Sequence, residues 1–137
     1  MTFLVDRLAD LRLHLDHLRE IRPRVADAEV LRADLSLHND VLFSLLVVCQ
    51  AVIDVAGELA GRRGVRFQDY TEAVRALRGV EGMPADVVAA LEGLPGFRNV
   101  LVHEYVALDY AVVLDALDGL DAVDRFVTIV ARLEGDV

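Results

Sequence analysis

The sequence contains no lysine and a single cysteine, and proline and glycine together supply only 12 of its 137 residues (3 Pro and 9 Gly). One cysteine excludes an intrachain disulfide and suits a reducing compartment. Cys49 stands among Val47, Val48 and Val52, where a thiol is expected to act as a small buried apolar side chain rather than as a nucleophile. With 55% apolar residues and so little proline and glycine, disordered and collagen-like classes are excluded. There is no dinucleotide fingerprint, P-loop, zinc-ligand pair or H-E-x-x-H, so neither a cofactor nor a metal is expected. Strand periodicity, internal repeats, low-complexity tracts and interdomain linkers are missing too, which leaves residues 1–137 as a single all-α domain able to bury a core of its own.

The mean hydropathy is positive, which raises two possibilities: a membrane segment, or a core shared with a second copy. Val41 to Ala60 has the length of a membrane span, but Gln50, Asp54 and Glu58 interrupt it, and carboxylates inside a span are costly. Asp6, Asp10 and Asp16 break up any apolar core that a signal peptide would need. A cytoplasmic protein without a membrane segment is expected. The net charge of −9 provides no long-range attraction for a polyanion. A local basic cluster is present at Arg62, Arg63 and Arg66, between Gly61 and Phe67.

Hydrophobic spacing divides the chain into helices. Leu4, Leu8, Leu11, Leu15 and Leu18 recur at alternating steps of four and three, forming one seam on a first helix that runs to about Arg22, where Pro23 ends or bends it. His14, His17 and Asp10 lie near one another on that helix, but as a solvated polar face, since a metal site normally needs more ligands. Residues 27 to 34 read as a short helical turn. The next helix, from about Leu37 to Ala60 with Ser36 or Asn39 as its cap, confines Asp40, Ser44, Gln50, Asp54 and Glu58 to about a third of its circumference. The remaining two thirds are apolar, more than one neighbouring helix can cover, so this central helix or one beside it is expected to be completed by a second protomer, the alternative being a helix fully enclosed within a monomer. Asp69-x-x-Glu72 opens a third helix that ends at Gly79. Pro84 opens a segment to about Leu91, and Gly93, Pro95 and Gly96 interrupt the chain before the next one. Asp109 caps a helix from Tyr110 to Asp118. Beyond Gly119, Asp121 starts the last helix, with Val123, Phe126, Val127 and Val130 on its apolar face.

The chemistry concentrates in R-N-V-L-V-H-E-Y, Arg98 to Tyr105. At about 100° per residue, Arg98, Asn99, His103 and Tyr105 share an arc of roughly 160°, so that a cation, an amide, an imidazole and a phenol converge. The spacing R-x4-H-x-Y after Gly96-Phe97, together with A-V-I-D-V-A at Ala51 to Ala56, resembles HEPN-domain ribonucleases, and specifically the HepT-like toxins of toxin–antitoxin pairs. That resemblance implies a homodimeric bundle of five or six helices, up-and-down in topology, with a composite RNase site in the cleft between protomers. It further implies Arg98 and His103 as the catalytic pair, and a cognate antitoxin of minimal nucleotidyltransferase (MNT) type that transfers AMP to Tyr105.

The residue types suit metal-free RNA cleavage. Deprotonating a 2′-hydroxyl and driving it onto the adjacent phosphorus needs a base of near-neutral pKa, the role His103 fits. It also needs a cation to hold the charge of the phosphorane-like transition state, which the guanidinium of Arg98 supplies through two parallel hydrogen bonds. Asn99 is a supporting residue that holds the imidazole or the phosphate, and Arg62, Arg63 and Arg66 are candidate RNA contacts. One imidazole does not easily serve as both base and acid, and a two-fold dimer would bring a second. The alternative is a non-catalytic HEPN-type module that binds a nucleotidyltransferase, with a purely structural dimer as a third and weaker reading.

Overall fold

The computed structural model describes residues 2–103 and 107–135. The described residues form eight α-helical segments and two 3-10 turns joined by short loops, with no strand among them. The all-α expectation is met.

Helix α1 (Thr2–Ile21) buries Leu4, Leu11, Leu15 and Leu18 completely and passes into a 3-10 turn at Arg22–Arg24 around Pro23. After the short α2 (Ala28–Ala33), α3 (Leu35–Arg62) forms the spine of the molecule. Its cap is neither Ser36 nor Asn39. Asp34 holds an extended backbone (φ −114°, ψ 95°), and its carboxylate accepts the backbone N–H of Leu37 at 3.0 Å. The same residue donates its N–H to the carbonyl of Val30 and so closes α2. One aspartate therefore ends one helix and begins the next. The far end of α3 is closed by Gly64, whose φ of 71° lets Val65 N–H return to the carbonyl of Ala60.

Although α3 is long and apolar enough to cross a membrane by length and composition, 61% of its most apolar window is buried within the fold. It packs along α1, and also contacts α4 (Tyr70–Arg75) and α6 (Leu94–His103). Asp69 caps α4 by accepting the N–H of Glu72 at 2.8 Å, and the helix tightens into a 3-10 turn at Ala76–Gly79. Pro84 is the extended cap of α5 (Ala85–Leu91), one position before the first helical turn. Helices α7 (Tyr110–Asp118) and α8 (Leu120–Leu133) are separated by Gly119 alone. α8 begins one residue ahead of Asp121, and Val123, Phe126, Val127 and Val130 are all buried.

Ion pairs tie the two chain ends together at the surface. Arg12 and Arg19 share Asp124 at 2.8 and 3.1 Å, Arg19 also reaches Asp121, and Arg22 reaches Asp118. Paired first with Arg12, and then with Arg19, the carboxyl of Asp124 is held below the ordinary aspartate range.

The polar stripe of α3 is a seam between helices. Asp40 accepts from His17 at 2.8 Å and Ser44 pairs with His14 Nδ1 at 3.0 Å, both across to α1. His14 and His17 are accordingly half-buried cross-links rather than a solvated face, and Asp10 turns to Arg7 at 2.8 Å.

Candidate active site on helix α6

Helix α6 starts at Leu94, so Pro95 and Gly96 lie within its first turn, where a missing proline N–H is tolerated. Phe97 and Leu101, four residues apart, are buried and face the core side of the helix. Arg98, next in sequence to Phe97, stands at the flank of that contact and is half-buried, whereas Asn99 and His103 are exposed. Helical spacing thus places the cation, the amide and the imidazole on the outward side of one helix, as the motif predicts. Tyr105 lies outside the described residues.

Arg98 is held from below. Its Nε donates to Oε1 of Gln50 on α3 at 2.9 Å, and its Nη1 donates to Oδ1 of Asn99 at 3.2 Å. Gln50 in turn donates its Nε2 to Oδ1 of Asp54 at 2.9 Å. A guanidinium has five N–H groups, so most of its outer edge stays available to an oxyanion. The imidazole of His103 makes no hydrogen bond among the described residues and stands in the last turn of the helix. On one side, Asn99 borders a cleft of about 530 Å³ lined by Gln68, Asp69, Tyr70, Thr71 and Pro95. On another, Leu101 closes an apolar groove with Asn39, Leu42, Phe43 and Leu46 of α3.

The basic cluster separates into three fates. Arg62 is bound to Glu58 at 3.1 Å and to Glu134 at 2.7 Å, and its pKa is raised mainly by the Glu134 hydrogen bond. Arg63 donates to the carbonyl of Ala76 at 3.0 Å, with its guanidinium against Gly79, where a Cβ would come within 2.1 Å of it. Arg66 is exposed and has no such partner among the described residues. Cys49 is buried, and burial pushes its thiol up to about 12, which removes it from nucleophilic chemistry.

Gln50 and Asp54 are the site members that sequence reading left unassigned. Both were visible as polar breaks, four residues apart, in an apolar helix, but nothing in the sequence says which helix crosses them.

Comparison with known proteins gives the family and the fold. A family model described as "Ribonuclease HepT-like" matches residues 11–130. A tri-AMPylated HEPN toxin of Shewanella oneidensis, solved in complex with MNT antitoxin, superposes with a TM-score of 0.81 at 17% identity, over 96% of this chain and 98% of that one. A toxin–antitoxin crystal structure with AMP-PNP gives 0.79 at 17% identity, over 94% and 98%. A mutant MntA–HpeT toxin–antitoxin structure gives 0.80 at 18% identity, over 96% and 99%. No curated protein matches the sequence at a significant level. At these identities the superpositions speak for the fold, while the family match spans most of the sequence, and on that ground the chain belongs to the HepT-like ribonuclease family.

Proposed function

We propose that this chain is the toxin of a toxin–antitoxin pair, a metal-independent endoribonuclease that acts in the cytoplasm on tRNA or mRNA. The observation that carries the reading is a guanidinium braced on one edge by Gln50 and open on the other, on the same helix as an exposed imidazole. His103 takes the proton of a ribose 2′-hydroxyl, whose oxygen then attacks the adjacent phosphorus. Arg98 holds the charge that builds on the phosphoryl oxygens. The P–O5′ bond breaks, leaving a 2′,3′-cyclic phosphate, and the departing 5′-oxygen takes a proton from an acid.

That acid is the His103 of a second copy. Phe43 is 61% exposed, and Leu46 and Leu101 stand beside it, so an apolar groove runs along the motif helix. Covering it with a two-fold partner would bring two motifs to one cleft. Asn99, which accepts from Arg98 Nη1 at 3.2 Å, serves as the supporting amide. Of the three arginines in the basic loop, Arg66 remains open to contact RNA.

The HEPN toxin of Shewanella oneidensis is tri-AMPylated and sits in complex with MNT antitoxin. By that likeness, we assign this chain a nucleotidyltransferase antitoxin partner that transfers AMP from ATP to the phenol oxygen of Tyr105, releasing pyrophosphate. The phosphodiester so formed carries a negative charge that pairs with Arg98 and fills the place of the RNA phosphate. A non-catalytic binding module is the second reading, favoured by the net charge of −9 and by the pairing of Arg62 with two carboxylates.

Incubation of total RNA with the purified protein, in EDTA, separates the two. New RNA ends from the wild type and none from His103→Ala are expected. Equal cleavage by both would end the nuclease reading, and cleavage by neither would favour the binding module. For Tyr105, intact-mass measurement after incubation with the antitoxin and ATP should show adenylyl additions that Tyr105→Phe abolishes; additions that persist in that variant would contradict the assignment.

A further inference from the structure

The contact between Arg98 and α3 is unlike most arginine contacts in this molecule. Arg12, Arg22, Arg62 and Arg125 each meet a carboxylate, at 2.8, 2.9, 2.7 and 2.8 Å. Arg98 instead meets the neutral amide of Gln50, in a chain with 23 acidic residues to choose from. We infer that Gln50 and Asp54 are positioning residues for Arg98, and that Gln50 braces the guanidinium while leaving its positive charge unspent for a phosphate. This rests on the reading of Arg98 as the phosphate-binding group.

The direction of the hydrogen bonds is fixed by chemistry alone. An ionised Asp54 only accepts, so the amide must turn its NH2 toward it, at 2.9 Å. The carbonyl Oε1 is then forced toward α6, where Arg98 Nε, which only donates, meets it at 2.9 Å. Asp54 and Gln50 are one turn apart on α3, and helix geometry preorganises the pair. Without Asp54, either end of the amide is free to face the guanidinium, and the NH2 end repels it. With Asp54 in place, one rotamer of Gln50 is selected, Nε is occupied, Nη1 reaches the exposed Asn99 and Nη2 is left for a ligand. A carboxylate at position 50 would hold the same geometry but would neutralise the guanidinium before any phosphate arrives. Arg7, ion-paired to Asp10, and Asp54 itself are the charged groups that share the α1–α3 cleft with Gln50, so the amide stands between this acidic and basic cluster and the motif.

Two variants separate position from charge. Gln50→Ala removes the brace. Gln50→Glu combined with Asp54→Asn keeps both hydrogen bonds, the new amide at 54 donating to the new carboxylate at 50, but sets a negative charge against Arg98. The probe is a 2′-O-methyl oligoribonucleotide, which presents phosphates without a cleavable 2′-hydroxyl. Its affinity, the single-turnover cleavage rate of the matching RNA and the Nε–H NMR signal of Arg98 are the readouts.

The double variant should unfold at the wild-type temperature and retain a protected Nε–H, yet bind the probe about tenfold or more weakly and cleave at least as much more slowly. Gln50→Ala should lose the protected signal and fall in cleavage rate more than in affinity. Wild-type affinity and rate in the double variant would overturn the inference. Absence of RNA cleavage by the wild type, with the affinity difference still present, would remove the nuclease reading and leave the positioning role supported.

Discussion

Oε1 of Gln50 accepts the Nε–H of Arg98 at 2.9 Å, and this one hydrogen bond joins the spine helix to the motif helix at the charged end of the site. Two consequences follow for Arg98. Its side chain is not free to sweep through solvent, and its outer edge is the part left for a ligand. Arg98→Lys keeps the charge but loses both the Nε anchor and the planar fork. Its expected effect is a fall of about 10²-fold in single-turnover RNA cleavage, with the thermal unfolding midpoint little changed. Full activity in the lysine variant would show that a point charge suffices.

Phe43 offers the cleanest view of the proposed dimer. It is 61% exposed and borders the apolar groove closed by Leu101. Phe43→Glu should convert a dimer to a monomer in sedimentation velocity and suppress cleavage, while helicity and monomer stability are maintained. A wild type that sediments as a monomer at all concentrations, or a variant that stays dimeric, would count against a site shared across this face.

Asp34 terminates α2 and initiates α3 at once. Replacing such a cap by alanine ordinarily costs about 1 kcal/mol, and Asp34→Ala should cost about that much in urea denaturation. Ser36→Ala and Asn39→Ala should cost less, because neither caps the helix.

Asp124 makes acid stability testable with a definite sign. Its folded pKa lies below the ordinary aspartate value of about 3.8, through hydrogen bonds first from Arg12 and then from Arg19. The unfolded chain therefore takes up its proton first as pH falls. The stabilisation is complete above the unfolded value and is lost as pH drops from about 3.8 through the depressed folded value. Because the pair is partly exposed, its size is modest and salt-sensitive. Asp124→Asn should lower the unfolding midpoint at neutral pH and flatten its decline below pH 4. An unchanged acid limb would show that the Arg12–Asp124–Arg19 cluster adds nothing to folding.

The parts of this molecule legible in the sequence are those with strong local signals. Leu4, Leu11, Leu15 and Leu18 announced the buried seam of α1, Asp69 and Asp109 announced their caps, and the A-V-I-D-V-A and R-x4-H spacings pointed to the family. Contacts set by how helices cross were not legible. The polar stripe of α3 was visible as a stripe, but its pairing with His14, His17 and Arg98 depends on which neighbour lies over it. In the same way, the spacing of Arg62, Arg63 and Arg66 suggested one basic surface. Glu134, 72 residues further along, claims Arg62, and the 3-10 turn at Ala76 claims Arg63. The cap of α3 was misplaced because Ser36 and Asn39 are good cap types inside a helix that Asp34 had already started.

The most direct measurement takes an oligoribonucleotide cut by the wild-type protein in EDTA and replaces the 2′-hydroxyl at the cleaved nucleotide by 2′-O-methyl. If His103 and Arg98 drive attack by that hydroxyl, the unmodified RNA ends in a 2′,3′-cyclic phosphate and a 5′-hydroxyl, and the modified RNA stays intact at that position. Cleavage of the modified strand at the same bond, or products ending in a 3′-hydroxyl, would contradict it.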